Sequence, residues 1–244
     1  MLKNKTAVIT GCNRGIGKAI LEDYVKNGAD IFAVVRKKND EFIAYCDTLK
    51  KGYGVEIQIV YADFADENQV KEAAQQIVKE KKPIDVLVNN AGCAYYGMHE
   101  TISDARIHEM IKLNLEIPER MSQHYIRALR LRQGLMINVA SITGTHPSPH
   151  AACYASTKAA MISFSNSIFE ENRKHGVKVT CLIPDMTETN LYRNADFKAD
   201  ENDGCCLYPM DIANVVEQIL SQRNGNVAKE IIIQPQFHRI QKKK

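Results

Sequence analysis

Seven short runs rich in β-branched and other apolar residues recur along the chain, at 6–10, 31–35, 55–61, 86–89, 135–139, 177–183 and 230–234. Each reads as a strand. Helix-length patterns fill the gaps, at 16–27, 40–51, 67–81, 103–132, 151–175 and 211–222. Alternation of this kind forces parallel pairing through right-handed crossovers, with helices on both faces of one sheet. The expected architecture is α/β and doubly wound, with a seven-stranded parallel sheet. Local punctuation agrees: Asn27-Gly28 is placed to end the first helix, Lys82-Pro83 the third and His175-Gly176 the fifth.

The whole chain, 1–244, is expected to form one domain, because α/β units of this length are ordinary. Hydrophobic residues at 45% and charged residues at 25% supply a core and argue against disorder. A net charge of +3 without a basic, aromatic-interleaved stripe gives no support to nucleic-acid binding. No run approaches a bilayer span and the N-terminus enters a strand at once, so a cytoplasmic protein without membrane attachment is expected. Seven cysteines without metal-ligand spacing read as reduced thiols, Cys205 and Cys206 as small residues of a mobile loop, and Lys242-Lys243-Lys244 as a solvated tail. The stretch 184–209 lacks a pattern and exceeds the usual length of internal loops; it reads as a lid over a substrate.

Between the first strand and the first helix lies Thr10-Gly11-Cys12-Asn13-Arg14-Gly15-Ile16-Gly17. Glycines there permit a tight turn in which Gly11, Asn13, Arg14, Gly15, Ile16 and Gly17 approach a pyrophosphate, with the helix N-terminus facing its charge. That feature makes the fold Rossmann-type. The second strand ends in Val34-Val35-Arg36-Lys37-Lys38, where sheets that bind NAD(H) usually place a carboxylate for the ribose 2′-hydroxyl. Arg36 with Arg14 suits a 2′-phosphate instead, so NADP(H) is expected in preference to NAD(H). Asp63, beside Phe64, is placed to accept from the adenine amino group. Asn89-Asn90-Ala91-Gly92 closes the fourth strand: Asn90, Ala91 and Gly92 suit close passage of the adenosine ribose, and the amides suit ties between strands.

Tyr154-Ala155-Ser156-Thr157-Lys158 sets a phenol and an ammonium one helical turn apart on the same face. Ser141 ends the fifth strand, so a short loop returns Tyr154 opposite it at the carboxyl edge of the sheet, where open α/β sheets bind ligands. Asn114 sits inside the helical pattern 103–132, where asparagine is a poor helix former; a buried polar role explains it.

In order and spacing these motifs resemble the short-chain dehydrogenase/reductase family, in the branch of 3-oxoacyl-[acyl-carrier-protein] reductases. The resemblance implies a catalytic tetrad of Asn114, Ser141, Tyr154 and Lys158, with Lys158 also holding the nicotinamide ribose and Asn114 positioning a water. It gives Pro184, Thr187 and Thr189 a place against the nicotinamide. It implies reduction of a carbonyl to an alcohol by hydride transfer, on a 3-oxoacyl thioester or similar small ketone, in a homodimer or homotetramer. A tyrosine near its reference pKa of about 10 is mismatched to neutral pH, so Lys158 is expected to lower it. Ser141 is expected to bind the substrate oxygen.

Two places depart from that family's pattern. Asp185 replaces the usual glycine after Pro184 and is read as tolerance of a turn, and the last strand ends Gln234-Pro235-Gln236 in place of an aspartate and two glycines. The second departure weakens the acyl-carrier thioester and the tetramer as inferences. His146 and His150 are read as loop residues. A 3-hydroxy acid or other secondary-alcohol dehydrogenase is the alternative within the same chemistry, and a non-catalytic NADP(H)-sensing protein the alternative outside it.

Overall fold

The computed structural model describes residues 2–200, 202, 204–237 and 239–243. Seven parallel strands lie in the order β3-β2-β1-β4-β5-β6-β8. They are β1 (Thr6–Thr10), β2 (Asp30–Val35), β3 (Ile57–Tyr61), β4 (Val86–Asn89), β5 (Leu135–Val139), β6 (Lys178–Pro184) and β8 (Glu230–Ile233). Strand order reverses between β1 and β4, which opens a crevice at the carboxyl edge.

Side chains alternate across the sheet, so Ala7 and Ile9 face one core while Val8 faces the other. The first core takes α1 (Gly15–Lys26), α2 (Asp40–Tyr53) and α7 (Pro209–Leu220), through Ile20, Tyr24, Phe42 and Val216. The second takes α3 (Glu67–Lys79), α5 (Ile117–Arg132) and α6 (Ala152–Asn172), through Ile77, Met121, Tyr125 and Phe169. Asp85 pins the amino edge, far from the crevice: it accepts from Thr6 N at 3.1 Å and pairs with Lys5 at 2.9 Å and Arg132 at 3.0 Å.

The helix expected over 103–132 is divided. α4 (Asp104–Ile111) and α5 are joined by a π-helical turn over Lys112–Glu116. Pro118 explains the break, since it has no N–H to give the Asn114 carbonyl four residues back. Gly28 at φ 85° and Gly176 at φ 78° end their helices as expected.

The stretch 184–209 is more ordered than its sequence suggests. It holds a 3-10 turn over Asn190–Asn194 and β7 (Phe197–Ala199), which pairs antiparallel with β9 (Ile240–Lys242). Lys242 and Lys243 are exposed, as expected of a solvated tail, but they are held in place by β9 and its contacts; Lys244 lies outside the described residues. Lys243 gives its N–H to Asp196 O at 2.7 Å and its Nζ proton to Tyr192 O at 2.6 Å. Cys205, expected in a mobile loop, is buried, its N–H held by Asn202 O. No helix among the described residues is long and apolar enough to cross a membrane, and the seven cysteines are free thiols.

Candidate active site

A cavity of about 650 Å³ runs along the carboxyl edge above the β1–β4 crevice. One end is the glycine turn. Gly11 adopts φ 66°, a conformation that side chains disfavour, and a Cβ there would stand 2.9 Å from the Ala91 Cα. The turn is tied to the end of β4 by Asn90, whose Nδ2 donates to Thr10 O at 2.9 Å and to Gly11 O at 3.1 Å. Thr10 Oγ1 in return accepts from the N–H groups of Asn90 and Ala91. The asparagine ties anticipated from the sequence are these and the Asn89–Asn138 bond of 2.8 Å between β4 and β5.

Helix α1 begins at this turn without a side-chain cap and without an acidic residue in its first turn. By contrast Asn39 caps α2 and Asp66 caps α3. The first N–H groups of α1 thus keep their donors and their share of the helix dipole for an anion in the cavity. Arg14 and Arg36 line the same end. The Arg14 guanidinium is lowered from its usual value by burial first, then by Arg193 and Arg36. Among the described residues none of these three arginines has a carboxylate within ion-pair reach, so the wall carries positive charge that a phosphate would neutralise. Asp63 and Phe64 complete this end; the Asp63 carboxylate caps its own turn at Ala65 N, 3.0 Å away.

The other end carries Ser141, Tyr154 and Lys158. Ser141 follows β5 and its Oγ accepts from Thr143 N and Oγ1. Tyr154 and Ser141 line this end together, across the loop that joins β5 to α6, and the serine is close enough to act on the phenol's titration. Lys158 lies one turn on, its Nζ 5.7 Å from the Tyr154 ring centre and donating to Val139 O at 2.8 Å. Both side chains are buried. Burial pushes the Tyr154 phenol up to about 12, against the lowering by Ser141, and pulls the Lys158 ammonium down to about 8. The expected lowering of the phenol by Lys158 is therefore not met by these side chains alone: loss of solvent around the phenol sets the direction of its shift.

Asn114 stands behind the cavity wall, fully buried in the π turn. Its Oδ1 accepts from Cys93 N at 2.9 Å, and its Nδ2 donates to Cys93 O at 2.9 Å and Thr157 Oγ1 at 3.1 Å. It thereby joins the loop after β4 to the helix that bears Tyr154 and Lys158. Gly17 also stands behind the wall, packed against Asn90 and Gly11. The remaining expected residues, Asn13, Gly15, Ile16, Asn90, Ala91, Gly92, Pro184, Thr187 and Thr189, all line the cavity. His146 and His150 do not.

Sequence reasoning missed several lining residues, chiefly His108, Glu109, Tyr192 and Arg193, which α4 and the 190–194 turn bring in without any local motif. It also misread Asp185. That side chain is buried, accepts from Met186 N at 2.7 Å and from Gln234 Nε2 at 3.0 Å, and so joins two strand ends instead of merely suiting a turn.

A doubly wound sheet with a glycine turn at one end of its crevice and a Ser-Tyr-Lys group at the other defines a dinucleotide-dependent oxidoreductase class. Residues 5–200 match the family model for short chain dehydrogenases. The chain is 31% identical over 193 residues to a 3-oxoacyl-[acyl-carrier-protein] reductase of Escherichia coli K12, covering 78% of this chain and 77% of the relative. Among solved structures it resembles an alcohol dehydrogenase from the archaeon Thermococcus sibiricus complexed with 5-hydroxy-NADP, with TM-score 0.87, 26% identity and coverage of 96% and 98% of the two chains. It also resembles an L-sorbose reductase from Gluconobacter frateurii complexed with NADPH and L-sorbose, with TM-score 0.84, 26% identity and 96% of each chain covered. This chain belongs to the short chain dehydrogenase family and is an oxidoreductase of that family.

Proposed function

We propose that the protein reduces a ketone to a secondary alcohol with NADPH. The observation that carries this reading is the group of Ser141, Tyr154 and Lys158, with Tyr154 and Lys158 buried a turn apart, at the far end of a cavity whose near end offers uncapped N–H groups and two guanidiniums. The glycine turn fits a dinucleotide, because Gly11, Asn13, Arg14 and Gly15 line the cavity and the N-terminus of α1 behind them has no side-chain cap to compete with a phosphate. Arg14 and Arg36 suit a 2′-phosphate, and the solved relatives with NADP-type ligands support a nicotinamide dinucleotide as the cofactor. Thr187, Thr189 and Pro184 line the nicotinamide end, and the 184–209 stretch serves as the lid.

When bound, the nicotinamide supplies the hydride for reduction or accepts it for oxidation. Ser141 donates to the substrate oxygen as charge develops there. Tyr154 carries its proton at neutral pH, at the ordinary tyrosine value as at the raised one, and gives it to that oxygen as charge develops there. Lys158, as ammonium, stabilises the phenolate left behind and holds the ribose. Asn114 keeps a second lone pair on Oδ1 after accepting from Cys93, the place for the water expected of it.

Free thiols support a reducing compartment, the cytoplasm. The test follows consumption of NADPH by the wild type and by Tyr154→Phe over a panel of ketones and 3-oxoacyl thioesters. Turnover that falls at least about a hundredfold in the variant, with NADPH binding retained, is expected. NADPH binding without turnover of any carbonyl or secondary alcohol would make the protein a sensor.

A further inference from the structure

The catalytic cavity has a neighbour. A second cavity of about 360 Å³ lies on the far side of the 190–194 turn, and the two share Thr189, Asn190, Tyr192 and Arg193 as walls. Thr189 is small, while Asn190 and Arg193 are exposed at the rim. Among the described residues Tyr192 is the one large, half-buried side chain that lines both spaces.

Its ring is held from several sides. It stacks on Tyr96 at 5.9 Å and 25°, and lies 5.7 Å from Phe197. Tyr96 in turn meets Phe197 edge-on at 5.1 Å and the catalytic Tyr154 at 6.0 Å. The backbone is fixed as well: Lys243 Nζ holds the Tyr192 carbonyl, and Phe197 sits in β7 opposite Lys242 of β9. A ring packed on two others and anchored by the C-terminal strand does not swing aside at small cost.

Resting on the reductase reading, we propose that Tyr192 sets substrate length: it closes the catalytic cavity against the second one and confines the enzyme to compact ketones. The second cavity is lined by Glu188, Lys198, Asp200, Tyr208 and Lys243, so the arm that would occupy it once the ring is gone is polar and amide-bearing, not a hydrocarbon tail. The partition thus works against carbonyl substrates carried on a thioester arm.

The experiment compares two substrates with one reacting carbonyl, a short alkyl ester of a 3-oxo acid and the N-acetylcysteamine thioester of the same acid. The values of kcat/KM are measured for the wild type, Tyr192→Ala, Tyr192→Leu and Tyr192→Phe. Wild type and Tyr192→Phe are expected to favour the short ester at least tenfold; Tyr192→Ala is expected to shrink that ratio at least tenfold, and Tyr192→Leu to shrink it less. Circular dichroism and NADPH binding within threefold of wild type certify each fold, and Tyr192→Leu decides if the alanine variant does not fold. A reducing wild type without that preference, or folded variants that keep it, overturns the proposal alone. A wild type inert toward every carbonyl, short ketones included, overturns the reductase reading and this proposal together.

Discussion

The Gln234 side-chain amide donates to the Asp185 carboxylate at 3.0 Å, linking the carboxyl ends of β6 and β8 beside the cavity. Asp185 and Gln234 belong to the two places read from the sequence as departures from the family's pattern, and they are in contact. Each substitution makes sense of the other: a carboxylate buried at a strand end needs donors, and Gln234 is one of them. Gln234→Leu is expected to lower unfolding free energy by about 1–2 kcal/mol, the value of a hydrogen bond to a charged acceptor discounted because Gln234 is itself exposed. Urea denaturation reads it, and an unchanged midpoint would show that the pair contributes nothing.

Lys158 makes stability depend on pH in an unusual direction. Burial lowers its ammonium from the ordinary lysine value to about 8, so the folded protein releases that proton before the unfolded chain does. The penalty for burying the charge is complete below pH 8 and is relieved above it, because there the unfolded state binds more protons. Tyr154 acts oppositely: raised to about 12, it keeps its proton while an unfolded tyrosine loses it from about pH 10, and that costs stability. The clean window is therefore pH 8 to 10. Wild-type unfolding free energy is expected to rise across it relative to Lys158→Met, measured by denaturant titration at each pH. Parallel curves for the two proteins would mean that Lys158 is not desolvated.

The central strands were legible because both faces of the sheet are buried there, so β1 and β5 read as continuous apolar runs needing no partner to be recognised, while the edge strands β3 and β8 are partly exposed and were found by their β-branched residues. The two ends of the cavity were legible for a related reason: a glycine turn and a Tyr-Lys pair are local, and the sheet edge brings them together. The π turn left a trace that was overlooked, Pro118 four residues after Asn114. The pairing of β7 with β9 left none, since each strand has three residues and the register Phe197 to Lys242 spans the intervening α7 and β8. Tyr192 and Arg193 reach the cavity only because that pairing and Lys243 fix the turn bearing them.

Arg36 decides between the two nicotinamide dinucleotides if the 2′-phosphate reading is right. It is exposed at the cavity mouth with no carboxylate partner among the described residues, beside Arg14, whose guanidinium its charge helps to lower. Charge-assisted hydrogen bonds to a phosphate are worth about 1.5–3 kcal/mol, which is roughly a tenfold to hundredfold change. Arg36→Asp is expected to lower kcat/KM for NADPH by that factor while that for NADH stays level or rises. Values for both cofactors within threefold of wild type would remove the phosphate clamp.

Two glycines in the chain should respond to alanine in opposite ways, and the contrast isolates close packing from backbone entropy. At Gly17, inside α1, an added Cβ would meet Asn90 Nδ2 at 2.4 Å and Gly11 O at 2.7 Å, atoms that belong to the tie holding the glycine turn against β4. Neither can yield without opening that turn. Gly17→Ala is therefore expected to cost about 1–3 kcal/mol through overpacking and to weaken NADPH binding at least tenfold. At Gly52, in the last turn of α2, nothing stands within 4 Å of the added carbon, and the residue is exposed. Alanine there reduces only the freedom of the unfolded chain and improves helix propensity, so Gly52→Ala should gain about 0.5–1 kcal/mol with cofactor affinity unchanged. Thermal denaturation and NADPH fluorescence titration of the two variants read both effects; a Gly17→Ala protein that binds NADPH like wild type would show that the contact between α1 and Asn90 does not shape the cofactor site.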